Sequence, residues 1–180
     1  LDIPNTEAAD LFRWFPILAM VLTPFLGAFL DNKGKGATML ISGALLMSAC
    51  HLIFAIYPLN GDASSYVVAY AAIIVLGISF SLVPAALWPS VPKLVENRYL
   101  GSAYSVIFWI QNIGLWAFPI IIGKALVWAN PGVEAGGEYD YKVPMLIFAS
   151  LGVLAFLLGI WLKAEDKKKG YGLEEANIKK

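Results

Sequence analysis

The stretch LGSAYSVIFWIQNIGLWAFPIIIG, Leu100 to Gly123, runs for 24 residues without a charge. A helix rises ~1.5 Å per residue, so this run reaches ~36 Å and clears a hydrocarbon core of ~30 Å. Three further uncharged runs are nearly as long or longer: Ala37–Tyr57 (21 residues), Tyr66–Val91 (26) and Val143–Leu162 (20). A fifth, Leu11–Leu30, holds 20 residues with Arg13 as its one charge. The reading is an all-α membrane protein with five transmembrane helices at about 11–30, 37–57, 66–91, 100–123 and 143–162. Membrane β-strands would instead be ~10 residues of alternating polarity. Composition agrees: 59% of residues are hydrophobic and 14% charged, with mean hydropathy +0.69. A soluble domain is nearer ~45–50% apolar and ~25% charged.

The net charge is zero, but it is not evenly spread. Residues 31–36, 92–99 and 163–180 alternate with the other connectors, so they share one side. That side carries ten of the 13 Lys and Arg against six of the 13 acids. The positive-inside rule places it in the cytoplasm, with the C-terminus there and the first residues outside. Residues 1–10 then read as an extracytoplasmic loop or the end of a preceding segment, and Asn130–Tyr141 as an outer loop. The mixed-charge tail at 163–180 reads as cytoplasmic and disordered. No basic-then-apolar leader precedes the first span. An odd span count with an outside N-terminus suits the rear part of a longer chain. Cys50, alone inside a span, is expected to be a small apolar filler.

Two amides, Gln111 and Asn112, sit at the midpoint of the Leu100–Gly123 run. An amide in hydrocarbon must find partners or cost several kcal/mol. It marks a helix contact or a polar cavity. Neighbouring residues point about 100° apart on a helix, so the two need not share one job. An amide donates to a carboxylate and accepts from an ammonium, and Trp88 offers a π-face to a cation. Arg13, near the outer end of its span, either binds a carboxylate or snorkels to the surface. His51 reads as a packing or hydrogen-bonding residue, with a proton carrier as the alternative.

The first span ends GAFLDNKGKG, residues 27–36. Gly27 permits close helix approach, Asp31 can accept from a neighbouring helix N-terminus, and Gly34 permits a tight turn. Lys33 and Lys35 suit an anionic inner membrane face. The Gly27, Asp31, Gly34, Lys35 spacing resembles the loop signature of major facilitator superfamily transporters, although Asn32 and Gly36 depart from it. A second stretch, residues 82–115, is similar to the branch named for major facilitator superfamily domain-containing protein 1. It shares Ala86-Leu87-Trp88-Pro89, Leu100-Gly101, Ala103-Tyr104 and Ile110-Gln111-Asn112. The resemblance implies part of a twelve-helix fold, here helices 8 to 12. Helices 8, 10 and 11 would contribute to the cavity, and the partner would be the missing N-terminal half of the same chain.

The expected function is a secondary transporter working by alternating access on a small polar organic solute. The resemblance points to dipeptides or amino acids. The candidate substrate-binding residues are Gln111, Asn112, Trp88, Tyr104 and Arg13. Gly27, Asp31, Gly34 and Lys35 form the candidate gate. The membrane is the bacterial inner (plasma) membrane, or the lysosomal membrane in a eukaryote. The alternative is a non-transporting receptor or scaffold on the same fold. An enzyme is not expected: one His and no acid within the spans cannot furnish a catalytic or metal set. No cofactor, metal or nucleic-acid partner is expected beside the solute and the lipid bilayer, and no phosphate-binding loop is present.

Overall fold

The computed structural model describes residues 10, 12–57, 62–134, 137 and 139–178. All but one of residues 1–10, read above as an outer loop or preceding segment, lie outside the described residues. Five long helices follow in order: α1 Trp14–Lys33, α2 Gly36–Ile56, α3 Ala63–Leu94, α4 Leu100–Ala129 and α5 Lys142–Lys169. A short 3₁₀ turn, Asn97–Tyr99, leads into α4. All five are long and apolar enough to cross a membrane. The helices α3, α4 and α5 outrun their uncharged cores, because polar ends such as Lys93, Lys124 and Lys167 continue the helix past the hydrocarbon.

Small residues decide which helices touch. The α2 helix lies between α3 and α5, and α1 packs on α3. A side chain at Gly152 of α5 would run into Ser48 of α2, whose hydroxyl donates to the Ala149 carbonyl at 3.2 Å. A Cβ at Gly43 would stand 3.2 Å from the Ser79 carbonyl, and the Ser79 hydroxyl donates to Gly43 O at 2.7 Å. Lipid tails are as apolar as leucine, so close backbone packing and short polar bridges hold such helices rather than a greasy core. The buried set matches: it is dominated by Ala, Gly and Ser, with Leu30 and Met39 among the few large members.

The connectors have local causes. Asp62 caps α3 by accepting the Ser65 amide at 2.7 Å. Asn130 closes the α4–α5 connector: its side chain donates to Leu126 O and Asp140 O, and accepts from the Asp140 amide at 2.7 Å. Prolines at 84, 89 and 92 lie inside α3 and at 119 inside α4, and each leaves a carbonyl one turn earlier without its helical donor.

The tail differs from the expectation of disorder. The α5 helix runs on to Lys169 and ends at Gly170 in the left-handed region (φ +68°). The chain then turns back across the α1–α2 turn, and Leu173 is only 1% exposed. A buried aliphatic anchor and a set of backbone hydrogen bonds order this mixed-charge segment, which composition alone does not register.

Candidate functional site

Among the described residues, the α4 helix has none that is buried. It touches α3 and α5 lightly and leaves Trp109, Trp116 and Trp128 at least two-thirds exposed. Gln111 and Asn112 stand on this uncovered helix, and both are exposed. Asn112 donates to the Phe108 carbonyl of its own helix at 2.7 Å. Neither amide bonds to another helix among the described residues, so neither acts as interhelical glue within this bundle. Gln111 lines an open groove of about 470 Å³ with Gly114, Leu115, Phe118, Pro119 and Phe148. Among the described residues lining it Gln111 alone has a polar side chain, and the surface it lends the groove is that of its aliphatic stem, so the lining is apolar throughout.

Trp88 and Tyr104 do meet, though on each other. The Trp88 ring stacks on Phe108 at 5.0 Å and lies 6.0 Å from the Tyr104 ring. The Tyr104 hydroxyl donates to the Trp88 carbonyl at 3.1 Å. That carbonyl is the one Pro92 leaves without a helical N–H. Tyr104 thus supplies the missing donor and brackets α4 to the proline-rich end of α3. One face of Trp88 is already taken by Phe108, a partner the sequence reading did not single out. The i, i+4 spacing of Tyr104 and Phe108 was the available signal.

Arg13 lies apart from this group. It sits one residue before α1 and pairs with Asp10 at 3.0 Å, both side chains 62% exposed. An exposed pair of this kind holds no ligand in place and contributes little. His51 places Nδ1 2.8 Å from the Met47 carbonyl of its own helix, with its ring 5.3 Å from Phe148. A carbonyl can only accept, so Nδ1 carries the proton there.

The signature turn is built differently from expectation. Among the described residues Gly27 makes no close approach: a Cβ there would meet none of them within 4 Å. Gly34 does need to be glycine, with φ +74° and the Glu174–Ala176 backbone pressed against it. Lys35 follows in the left-handed region, also at φ +74°, so the chain reverses in two residues. Asp31 meets the tail rather than a neighbouring helix N-terminus: its Oδ1 accepts from the Asn177 amide at 2.8 Å. The N-terminus of α2 is capped from afar. Glu174 accepts the Thr38 amide and hydroxyl, both at 2.8 Å, and Lys163 approaches it at 3.6 Å. Partial burial would raise the Glu174 pKa, but the two Thr38 bonds with Lys163 and Lys35 outweigh it and hold the carboxyl below its usual range. The signal for this distant cap was Lys35 itself, which has no side-chain acceptor to give a helix start.

The family model described as Major Facilitator Superfamily matches residues 1–177. The chain belongs to that superfamily, whose members here are transporters and not enzymes. Among curated relatives, the lysosomal dipeptide transporter MFSD1 of Bos taurus is 31% identical over 142 residues, covering 79% of this chain and 27% of that protein. The protein of that name in Danio rerio is 30% identical over 164 residues, covering 91% of this chain and 32% of the relative. The uncharacterized symporter YjmB of Bacillus subtilis (strain 168) is 24% identical, covering 87% and 34%. The chain therefore spans about a third or less of the curated relatives it matches. No solved structure matches it. The resemblance to the MFSD1 branch agrees with the shared residues between 82 and 115.

Proposed function

We propose that this chain forms helices 8 to 12 of a secondary transporter that moves a small polar organic solute by alternating access, with dipeptides or amino acids as the solute class. The observation that carries the reading is the uncovered α4 helix with two mid-span amides. Such a face in a membrane needs either a partner surface or a polar cavity, and a companion half of the same protein supplies both. Gln111 and Asn112 present donors and acceptors suited to the carboxylate and ammonium of a zwitterion. The Trp88–Tyr104 bracket shapes the wall beside them. The relatives named as dipeptide transporters support the solute class. The end of the bundle bearing the α1–α2 turn and the tail faces the cytoplasm, on the charge asymmetry of the connectors. Asp31, Gly34 and Lys35 work there as a conformational turn, while Arg13 stands at the outer end.

The test uses the protein expressed from its full coding region and reconstituted in vesicles. Labelled dipeptide should enter in exchange for unlabelled dipeptide inside. Asn112→Leu and Gln111→Leu should each lower uptake roughly tenfold at equal abundance, the equivalent of one lost ligand hydrogen bond. Unchanged uptake in both variants would remove the amides from the solute path. Dipeptide binding without exchange would make the protein a receptor.

A further inference from the structure

The tail returns to the helix ends in a way that no loop of its composition requires. Its backbone meets the α1–α2 turn directly: the Lys35 amide donates to Glu174 O at 3.1 Å and the Gly36 amide to Leu173 O at 2.9 Å. Four residues beyond Glu174, the Ile178 amide donates to the Asp31 carbonyl at 2.9 Å. The end of α3 joins in, with the Lys93 ammonium donating to Gly172 O at 2.9 Å and Glu175 O at 2.8 Å. The end of α5 completes the seat: Asp166, only 8% exposed, accepts the Leu173 amide at 3.0 Å. Four helix ends are therefore tied by one nine-residue segment, 170–178, and Leu173 is its buried anchor.

Every contact in this set closes against glycine or backbone. A Cβ at Gly36 would come within 2.8 Å of the Leu173 carbonyl, and Gly34 is closed off in the same way by Glu174 and Glu175. Both glycines belong to the turn that carries the transporter signature. Their lack of side chains serves the docking of the tail as well as the turn itself. Glu174 adds the charge complement, since its carboxylate lies over the positive N-terminus of α2. The seat is thus shaped for a tight turn that carries an aliphatic residue followed by an acid: residues 173 and 174 of this chain occupy it, and the Glu175 amide closes the turn on Gly172 O at 3.1 Å.

We propose that residues 170–178 are an intramolecular latch: docked, they fix the α1–α2 turn and hold Asp31 engaged, and so restrain rearrangement at this end of the bundle. The consequence for solute movement rests on the transporter reading, but the latch itself does not. A tethered segment docks at high effective concentration, so modest contacts suffice to keep it seated. Its removal frees two turn amides, the Thr38 cap and the Asp31 side chain together, because all are held by the same strand of tail.

Hydrogen exchange on the full-length protein tests the latch directly. Residues 34–38 and 170–178 should exchange slowly together in the intact chain. Ending the chain after Lys169, or changing Leu173→Ser with Glu174→Gln, should speed exchange at 34–38 roughly tenfold or more while the helix interiors stay protected. A tail that exchanges like a free peptide in the intact chain overturns the latch. Unchanged exchange at 34–38 after truncation overturns it too. With exchange assays on the same proteins, both variants should raise dipeptide turnover about twofold or more at equal abundance, roughly 0.4 kcal/mol of released restraint. Unchanged or reduced turnover would overturn the restraint. Absence of uptake by the intact protein would strike the transporter reading instead, and the exchange rates would still decide the latch.

Discussion

Tyr104 illustrates how a single hydroxyl can mend a backbone. Pro92 removes the N–H that would have bonded Trp88 O, and Tyr104 reaches across from α4 to replace it. Tyr104→Phe keeps the ring and its packing but orphans the carbonyl. We expect a loss of about 0.5–1.5 kcal/mol, the usual net worth of one hydrogen bond. Detergent-solubilised full-length protein, melted by heat with Trp fluorescence as readout, would register it. An unchanged midpoint would mean that water or another donor already serves the Trp88 carbonyl. Trp88 and Tyr104 were legible in the sequence as aromatic and polar groups on neighbouring spans. Their mutual pairing was not, because it depends on how α4 meets the proline-rich end of α3.

At the scale of the helices, small residues carry the packing. The α2–α5 contact passes through Gly152, and Ser48 lies where a side chain would go. Gly152→Val forces the helices apart, and overpacking of this kind costs about 1–3 kcal/mol. Gly27→Ala should do the opposite. It enters open space within a helix and removes backbone freedom from the unfolded chain, a gain of about 0.4–1 kcal/mol. Both are read by unfolding in increasing denaturing detergent. A Gly152→Val protein as stable as the parent would disprove the close approach. The positions of all five helices followed from run length, since hydrocarbon thickness sets a minimum that few other folds reach. Their ends did not, because polar residues beyond the core continue a helix freely.

On the scale of the whole chain, the tail and the turn behave as one electrostatic unit. Glu174 is faced by Lys163 and Lys35, with Asp166, Asp31 and Lys93 on the surrounding helix ends. Its folded pKa lies below the unfolded value of ~4.3. A carboxyl depressed by folding contributes stability that is present above its unfolded pKa and is lost as pH falls through the folded one. The tail should therefore stay docked at neutral pH and loosen as pH falls below that unfolded value. A nitroxide on Ala176→Cys would report this as a change from an immobilised to a mobile spectrum. Glu174→Gln should abolish that acid transition. A transition that persists unchanged in Glu174→Gln would take Glu174 out of the acid response.

The sequence by itself determined the membrane class, the count of spans and the family. These follow from run length, charge placement and short motifs, all of which are local properties. It also marked Gln111 and Asn112 as costly in hydrocarbon, and the structure leaves both on a helix with no cover. Only the tertiary structure decided that Asp31 faces the tail, that Gly27 has open space around it among the described residues, and that Glu174 caps a helix 136 residues away. Composition averages over a segment, and the tail at 170–178 looks polar and unstructured by that measure. One buried leucine, one cap and a few backbone bonds overrule the average, because each gains its worth from a partner that the linear order places far off.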